Sequence, residues 1–158
     1  MVDVGDTAPE FALPSTDGSV ISLAQFRGTR PVVLYWYPKD DTPGCTTEAC
    51  SFRDNLAALQ GKGVAVLGAS PDSVKSHQKF TTKFSLNFPL LADEGAVVAQ
   101  RYGVWVEKKM YGRTYMGIER TTFLIDTDGK VAAVWRKVNP NKHVDEILTA
   151  LDAGVPTG

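Results

Sequence analysis

Short apolar runs alternate with segments of helical apolar spacing over most of the chain. Four runs are rich in β-branched and aromatic residues and have the length of buried strands: Val32–Tyr37, Val64–Ala69, Thr121–Ile125 and Val131–Val138. A helical pattern joins the first two, as in a parallel β-α-β unit with a right-handed crossover. This order predicts an α/β protein with a mixed central sheet flanked by helices.

The first two predicted helices each follow one of the buried strands. The first has Thr42 at the N-cap and Pro43 at N1, and it runs to about Gly61. The second begins at Ser70-Pro71 and runs to about Phe84. Each helix can therefore cover the sheet between two neighbouring strands.

Shorter elements complete the pattern. Asp93 is predicted to cap a third helix, and Asn139-Pro140 to begin a last one. Asp17-Gly18 lies between the apolar segments Phe11–Leu13 and Val20–Leu23, which predicts an N-terminal β-hairpin. Together these elements predict a thioredoxin-like fold with that hairpin added.

The segment from Trp105 to Arg120 is the least regular part of the pattern. Lysine and arginine alternate there with methionine and tyrosine, without a clear period. Loops or a loose hairpin around Gly112 are expected, and a solvated connection is the preferred interpretation. The pattern assigns no role to this segment.

Composition and charge exclude several classes of function. The 158 residues are 43% hydrophobic and 22% charged, which indicates one globular domain over residues 1–158. With 17 basic and 18 acidic residues the net charge is -1, so neither nucleic acid nor an acidic membrane surface is expected as a partner. No apolar run approaches the ~20 residues of a membrane helix.

The cellular compartment bears on the chemistry of the two cysteines. The first residues, Met1–Asp6, lack the features of a signal peptide, and a cytoplasmic location is expected. Thiols are kept reduced there. The cysteines are therefore expected to be catalytic or metal-binding rather than a structural disulfide.

The two cysteines differ in their predicted position on the first helix. Counting from Thr42, Cys45 is residue N3, on the apolar face that also contains Ala49, Phe52, Leu56 and Leu59. Free N–H groups and the positive end of the helix dipole lie beside its sulfur and favour the reactive thiolate. Cys50 lies ~140° around the helix and points away from that pocket. Two inert thiols are the alternative interpretation.

The residues around Cys45 resemble a known family. Pro38, Thr42 and Cys45 form a Pro-x-x-x-Thr-x-x-Cys pattern similar to the active-site motif of the peroxiredoxins. The segment Tyr37–Cys50 resembles the Q-type subgroup, the bacterioferritin comigratory proteins, in which a second cysteine stands five residues after the first. Further similar segments extend over nearly the whole chain: Asp6–Phe11, Ser70–Ser73, Ser76-His77, Phe88–Leu91 and Arg120–Asp126.

The resemblance implies a function and its partners. The protein is expected to be a thiol-dependent peroxidase that reduces hydrogen peroxide and organic hydroperoxides without a cofactor. Cys45 would be the peroxidatic residue and Cys50 the resolving residue of an intramolecular disulfide. Thioredoxin or a similar dithiol would reduce that disulfide. A resolving cysteine in the same chain removes the need for a partner subunit, so a monomer is expected.

Cleavage of an O–O bond by a thiol also needs groups that position the peroxide. The Thr42 hydroxyl lies one helical turn before Cys45 and can hold the peroxide, cap the helix, or do both. Pro38 is expected to shield the pocket from water. Pro43 and Gly44 are expected to let the backbone approach the ligand closely.

A cation is required beside the sulfur, and spacing alone does not choose among Lys39, Arg53 and Arg120. The resemblance selects Arg120, which opens the Arg-x-Thr-Phe segment. Glu48 follows Cys45 by three residues and could tether Arg120 or only complement the helix dipole.

Other sites and functions are weaker interpretations of the sequence. His77 is expected to be half-buried with satisfied hydrogen bonds, and His143 to lie on the surface. No metal site is expected, because the cysteines lack metal-ligand spacing and the histidines lie on separate helices. A redox-sensing module remains an alternative, although Thr42 and Arg120 favour turnover. A protein disulfide oxidoreductase would need a Cys-x-x-Cys motif, which is absent.

Overall fold

The computed structural model describes residues 2–154 and has a five-stranded mixed sheet at its centre. The strands are β1 Ala12–Pro14, β2 Val20–Ser22, β3 Val32–Trp36, β4 Ala65–Ser70, β5 Leu90–Ala92, β6 Trp105–Met110, β7 Arg113–Ile118, β8 Thr121–Ile125 and β9 Val131–Arg136. The helices are α1 Pro43–Gly61, α2 Val74–Phe84, α3 Val97–Tyr102 and α4 His143–Asp152.

No helix among residues 2–154 is long and apolar enough to cross a membrane. A single domain over residues 1–158 stays a prediction, since Met1 and residues 155–158 lie outside the described residues.

The central sheet has the strand order β5-β4-β3-β8-β9. β3 is parallel to β4, and β4 to β5, whereas β8 runs antiparallel to β3 and β9. Val33 and Tyr35 of β3 face α1, α2 and α4, and Leu34 and Trp36 face α3 and the β1–β2 hairpin. The predicted class, a mixed sheet between helices with an N-terminal hairpin, is confirmed.

α1 begins and ends where the pattern predicts. Thr42 is its N-cap, with an extended backbone, and Pro43 is its first residue. The buried residues of the helix are the predicted apolar face and one carboxylate: Cys45, Glu48, Ala49, Phe52, Leu56 and Leu59. Because this stripe packs on Val33 and Tyr35 of β3, packing fixes the rotation of α1 and with it the direction of Cys45.

α2 begins later than predicted. Ser70 ends β4 instead of starting the helix, and its hydroxyl donates to the Asp72 carboxylate at 2.6 Å. Ser73 is the N-cap, and its side chain accepts from the N–H of Ser76 at 3.1 Å. The local bond between Ser70 and Asp72 gives the backbone a turn in place of a helix.

α4 also begins later than predicted, at His143 and not at Asn139-Pro140. The Asn139 side chain accepts from the N–H of Asn141 at 3.0 Å, which holds this stretch in a turn. The N-cap position of α3 is Ala96, but the predicted Asp93 still caps the helix with its side chain: the carboxylate accepts from the N–H groups of Val98 and Ala99 at 3.1 and 2.8 Å.

Residues 105–118 form a hairpin with its turn at Gly112, as one of the two expected arrangements had it, and the hairpin is largely exposed but regular rather than loose. β6 pairs with β7 in six antiparallel residue pairs, from Trp105↔Ile118 to Met110↔Arg113. Tyr111 and Gly112 form the turn with φ of 52° and 76°, as two-residue hairpins require. Tyrosine is an unusual residue for the first of these positions, which explains why the sequence signal is weak.

Gly68 of β4 leaves space for a core aromatic ring. A Cβ at this position would lie 2.8 Å from Leu90 Cδ2 and 2.9 Å from Tyr35 Cε1, and both neighbours are buried. We expect Gly68→Ala to lower the free energy of unfolding by about 1–3 kcal/mol, as measured by urea denaturation. Gly61→Ala, at the end of α1 with open space around it, is the control. It should be neutral or stabilise by up to about 1 kcal/mol. An equal effect of the two substitutions would contradict the packing interpretation.

Candidate active site

The start of α1 leaves its first N–H groups without a side-chain cap. The Thr42 hydroxyl donates to the Lys39 carbonyl at 2.9 Å instead of capping the helix. The first intrahelical bond runs from the Thr46 N–H to the Thr42 carbonyl at 2.8 Å. The N–H groups of Gly44 and Cys45 therefore have no partner within the helix and can donate to a ligand.

The Cys45 sulfur is buried and lies beside a cation. Arg120 Nη2 is 3.3 Å from Cys45 Sγ, and Arg120 Nη1 donates to Glu48 Oε1 at 2.8 Å. The Glu48 side chain is fully buried, and that of Arg120 is 16% exposed. The structure thus brings together three of the predicted site residues in one chain of contacts.

Burial and charge shape the ionisation of this pair. Burial raises the pKa of Glu48 above its ordinary value, and the charge of Arg120 opposes the rise and favours the carboxylate. Burial lowers the pKa of Arg120, but Glu48 and Cys45 outweigh it, so the net shift is upward. The guanidinium stays charged, and the buried carboxylate fixes its orientation toward the sulfur.

The other candidate cations lie elsewhere. Lys39 is exposed. Arg53 Nη1 donates to the Phe84 carbonyl at 2.6 Å, and its Nε pairs with Asp54. Neither residue is held beside Cys45 as Arg120 is.

Gly44 makes room for Arg120. A Cβ at position 44 would lie 3.2 Å from Arg120 Nη2 and 3.6 Å from Pro140 Cγ. Pro43 is exposed and Pro38 is partly buried at the entrance of the loop. The sequence suggested that Gly44 serves the approach of a ligand, and the structure adds that it accommodates the guanidinium.

Tyr35 is a residue of the site that sequence reasoning treated only as core. Its ring stacks on Phe52 at 4.4 Å between centroids, and its hydroxyl is buried without a hydrogen-bond partner among residues 2–154. Burial raises the pKa of Tyr35 well above its ordinary value, and Glu48 and Cys45 add to the rise. Glu48 Oε2 is also buried without a partner in the described chain. The only sequence signal was a tyrosine with a polar end on the same sheet face as Cys45.

Asp40 ties the loop before α1 to the neighbouring helix. Its carboxylate accepts from the Tyr37 hydroxyl at 2.5 Å and the Ser76 hydroxyl at 2.8 Å, and lies 2.7 Å from His77 Nδ1. Its N–H donates to the Asp72 carboxylate at 2.9 Å. The sequence did not single out either aspartate.

His77 is fully buried rather than half-buried, and both ring nitrogens have partners, as expected of a structural histidine. Ligand atoms of Asp40, Asp72 and His77 lie within 4.8 Å of one another, a spacing that could suit a cation. Each of these side chains is already engaged in hydrogen bonds that hold the loop.

The prediction that His143 lies on the surface is wrong. Its side chain is fully buried, with Nε2 2.6 Å from Thr122 Oγ1. The ring makes edge contacts with Phe52 and Trp135. Burial, helped by the charge of Arg120, lowers the pKa of His143 to about 4, so the ring is neutral near pH 7. The late start of α4 turns this residue inward beneath the site.

Cys50 lies on the same helix as Cys45 but in a different environment. Both thiols are free, Cys45 buried and Cys50 partly exposed. Residues five apart in an ideal helix have Cα atoms ~8.6 Å apart, whereas a disulfide needs at most ~7 Å. The helical state therefore keeps the two sulfurs from bonding.

Comparison with known proteins agrees with this geometry. Residues 4–134 match the AhpC/TSA family. The chain is 52% identical over 150 residues to a putative peroxiredoxin bcp of Coxiella burnetii, covering 95% of this chain and 99% of the relative.

Solved structures give the same result. The chain is similar to a mutant of Xylella fastidiosa PrxQ, with TM-score 0.92 and 36% identity over 99% of each chain. It is also similar to the Xanthomonas campestris bacterioferritin comigratory protein, with TM-score 0.88 and 38% identity over 99% of each chain. Structures of that protein gave insight into its alkyl peroxide reduction activity. The chain therefore belongs to the AhpC/TSA family and, within it, to the Q-type peroxiredoxins, the bacterioferritin comigratory proteins.

Proposed function

We propose that this thiol peroxidase uses Cys45 to attack hydrogen peroxide and alkyl hydroperoxides, and Cys50 to resolve the product. The observation that carries the proposal is the guanidinium of Arg120, 3.3 Å from the Cys45 sulfur and held by buried Glu48. A cation fixed at that distance stabilises charge on the sulfur and on the departing oxygen. The alkyl peroxide reduction described for the Xanthomonas campestris relative supports the substrate class.

The first step is attack on the peroxide. The Cys45 thiolate attacks the terminal oxygen, the S–O bond forms and the O–O bond breaks, which leaves sulfenic acid. The departing hydroxide or alkoxide takes up a proton and leaves as water or an alcohol. The Thr42 hydroxyl donates its hydrogen bond to the Lys39 carbonyl, so its oxygen is free to accept from the peroxide O–H. The N–H groups of the first turn and Arg120 meet the developing negative charge.

The second half of the cycle restores the thiols. The Cys50 thiolate attacks the sulfenic sulfur, an S–S bond forms and water leaves. A dithiol protein, with thioredoxin as the expected donor, then reduces the disulfide by exchange. Because both cysteines belong to one chain, a monomer suffices, and a reducing compartment such as the cytoplasm suits the cycle. Pro38, Pro43 and Gly44 shape the entrance, and no step requires a metal or an organic cofactor.

Disulfide formation requires the start of α1 to unwind. The first turn carries no side-chain cap and contains Gly44, Thr46 and Thr47, which are poor helix formers. An opening of this segment costs less than an opening of the part that contains Phe52 and Leu56, because those side chains are buried. If peroxide is in excess, the folded helix keeps Cys50 away and Cys45 proceeds to sulfinic acid.

A pair of substitutions tests the roles of the cysteines. Cys45→Ser should abolish peroxide consumption, because no other thiol in the described chain has the cation and the uncapped helix start. Cys50→Ser, given one equivalent of peroxide per chain, should still consume it but form no intramolecular disulfide. Peroxide consumption and intact mass report both outcomes. Substantial activity of Cys45→Ser would remove Cys45 as the attacking residue.

Arg120→Lys tests the cation. A lysine cannot bind Glu48 and the sulfur at once as the guanidinium does. We expect the rate of Cys45 oxidation, measured by stopped-flow fluorescence, to fall about tenfold or more. Arg53→Lys removes a guanidinium of the same helix that donates to the Phe84 carbonyl and not to Cys45, so it should leave the rate unchanged. If Arg120→Lys folds normally and reacts at the wild-type rate, Arg120 has no role in the chemistry.

Amide hydrogen exchange tests the unwinding. We expect residues 45–52 to lose protection when the intramolecular disulfide forms, because an intact helix cannot accommodate the bond. The Cys50→Ser variant, oxidised by one equivalent of peroxide, should keep the protection of the reduced form. Equal protection in reduced and disulfide-bonded wild type, with the bond confirmed by mass, would disprove the unwinding.

A further inference from the structure

The β6–β7 hairpin presents a face that the core does not bury. Side chains alternate along both strands, and the register Lys108↔Tyr115 and Met110↔Arg113 places these residues together with Val106 on one side. We call this side the hairpin face: Val106, Lys108, Met110, Arg113 and Tyr115. Met110 is 54% exposed and Tyr115 42% exposed, and Tyr111 at the turn is 98% exposed. Both charged residues of the face are basic, and none is acidic.

The hairpin face begins at the active site. Lys108 is partly buried, and burial together with the charge of Arg120 lowers its pKa, while Cys45 acts in the opposite direction. β7 ends at Ile118, two residues before Arg120, so the base of the hairpin adjoins the site. A Cβ at Gly117 would lie 3.3 Å from Lys108 Cδ and 3.4 Å from Tyr115 Cε2, so the lysine and tyrosine side chains lie next to each other. The face extends along the hairpin from Val106 near its base to Met110 and Arg113 beside the turn.

The size of this face indicates a macromolecular occupant. Six residues of a strand span about 20 Å, whereas a hydroperoxide reacts at Cys45 and has no contact with the turn. A hollow of about 780 Å³ lies near the turn, and its lining residues are Met110, Tyr111, Arg113, Thr114 and Tyr115.

The residue types of the face also fit a protein partner, because tyrosine, methionine and arginine are enriched in protein interfaces. Tyr111 also adopts φ 52°, which is unfavourable for a residue other than glycine, so folding stability does not explain its presence.

The chemistry of the cycle selects the kind of partner. A protein that reduces the Cys45–Cys50 disulfide must bring its thiolate onto one of these sulfurs, and so it must dock on this side of the molecule. A second copy of this chain fits less well, because a twofold interface would place Lys108 and Arg113 against the same basic residues.

We propose that the hairpin face is the docking surface for the protein dithiol donor, which presents acidic and apolar side chains around its own thiols. The proposal rests on the cycle described above, in which a protein dithiol reduces the disulfide. Basic residues of the face steer the donor, and Met110, Tyr111 and Tyr115 supply the apolar contact. The donor's thiolate attacks one sulfur, a mixed disulfide forms, and its second thiol then releases the reduced chain.

The test compares two reductants on the same full-length variants. Peroxide turnover is measured with thioredoxin, thioredoxin reductase and NADPH, and separately with dithiothreitol, which needs no docking surface. The variants are Arg113→Glu and Tyr115→Ser on the hairpin face. The matched control is Lys109→Glu, which makes the same charge change on the opposite face of the same hairpin. Analytical ultracentrifugation at the assay concentration gives the oligomeric state of each protein.

We expect kcat/KM for thioredoxin to fall roughly tenfold or more in Arg113→Glu and Tyr115→Ser. Turnover with dithiothreitol should stay at the wild-type value, and Lys109→Glu should match wild type with both reductants. Added salt should reduce kcat/KM for thioredoxin more in wild type than in Arg113→Glu.

Three results would overturn the docking surface: wild-type kcat/KM for thioredoxin in both face variants, an equal loss in Lys109→Glu, or a wild-type dimer that Arg113→Glu dissociates. Wild-type turnover with dithiothreitol but none with thioredoxin would refute the proposed donor and the docking surface with it. No turnover of wild type with either reductant would refute the peroxidase cycle itself.

Discussion

The ion pair between Glu48 and Arg120 is the contact on which the geometry of the site depends. Two charges in a buried setting lose hydration, so such a pair is a poor source of stability. Its value is orientation: the carboxylate holds one end of the guanidinium, and the other end faces the Cys45 sulfur. Cys45 and Glu48 belong to the same buried stripe of α1, so the packing of that stripe on β3 positions both ends of the arrangement.

The first turn of α1 is less stable than a capped turn would be, and its N–H groups remain accessible to a ligand. A hydroxyl at the N-cap usually contributes about 1 kcal/mol by accepting from the first turn. Thr42 uses its hydroxyl on the Lys39 carbonyl instead, and the N–H groups stay open. Tyr35 and Glu48 Oε2 leave further buried polar atoms unpaired among residues 2–154. Such departures from a fully satisfied core are expected where a protein holds a reactive group.

Local patterns in the sequence predicted most of the fold, because most helices and strands are indicated by the residues within them. The apolar run of β3 and the Thr42-Pro43 start of α1 each contain their own signal, and together they place Cys45. The burial of His143 depends on Phe52 and Trp135, which come from other elements, so no local pattern could show it. Spacing could not select Arg120 either, because its contact with Glu48 joins residues 72 positions apart. The resemblance to the peroxiredoxins selected Arg120, and the chemical role of Arg120 stays a prediction.

The hydrogen bonds of Asp40 and His77 limit how far an opening of α1 can spread. His77 Nε2 donates to the Leu91 carbonyl at 2.8 Å, and His77 Nδ1 lies 2.7 Å from the Asp40 carboxylate. These bonds anchor the chain just before α1, and buried Phe52, stacked on Tyr35, anchors it just after Cys50. A released segment between two fixed ends can sample only a small volume. The effective concentration of one thiol near the other therefore stays high, which favours closure of the ring over reaction with a thiol from solution.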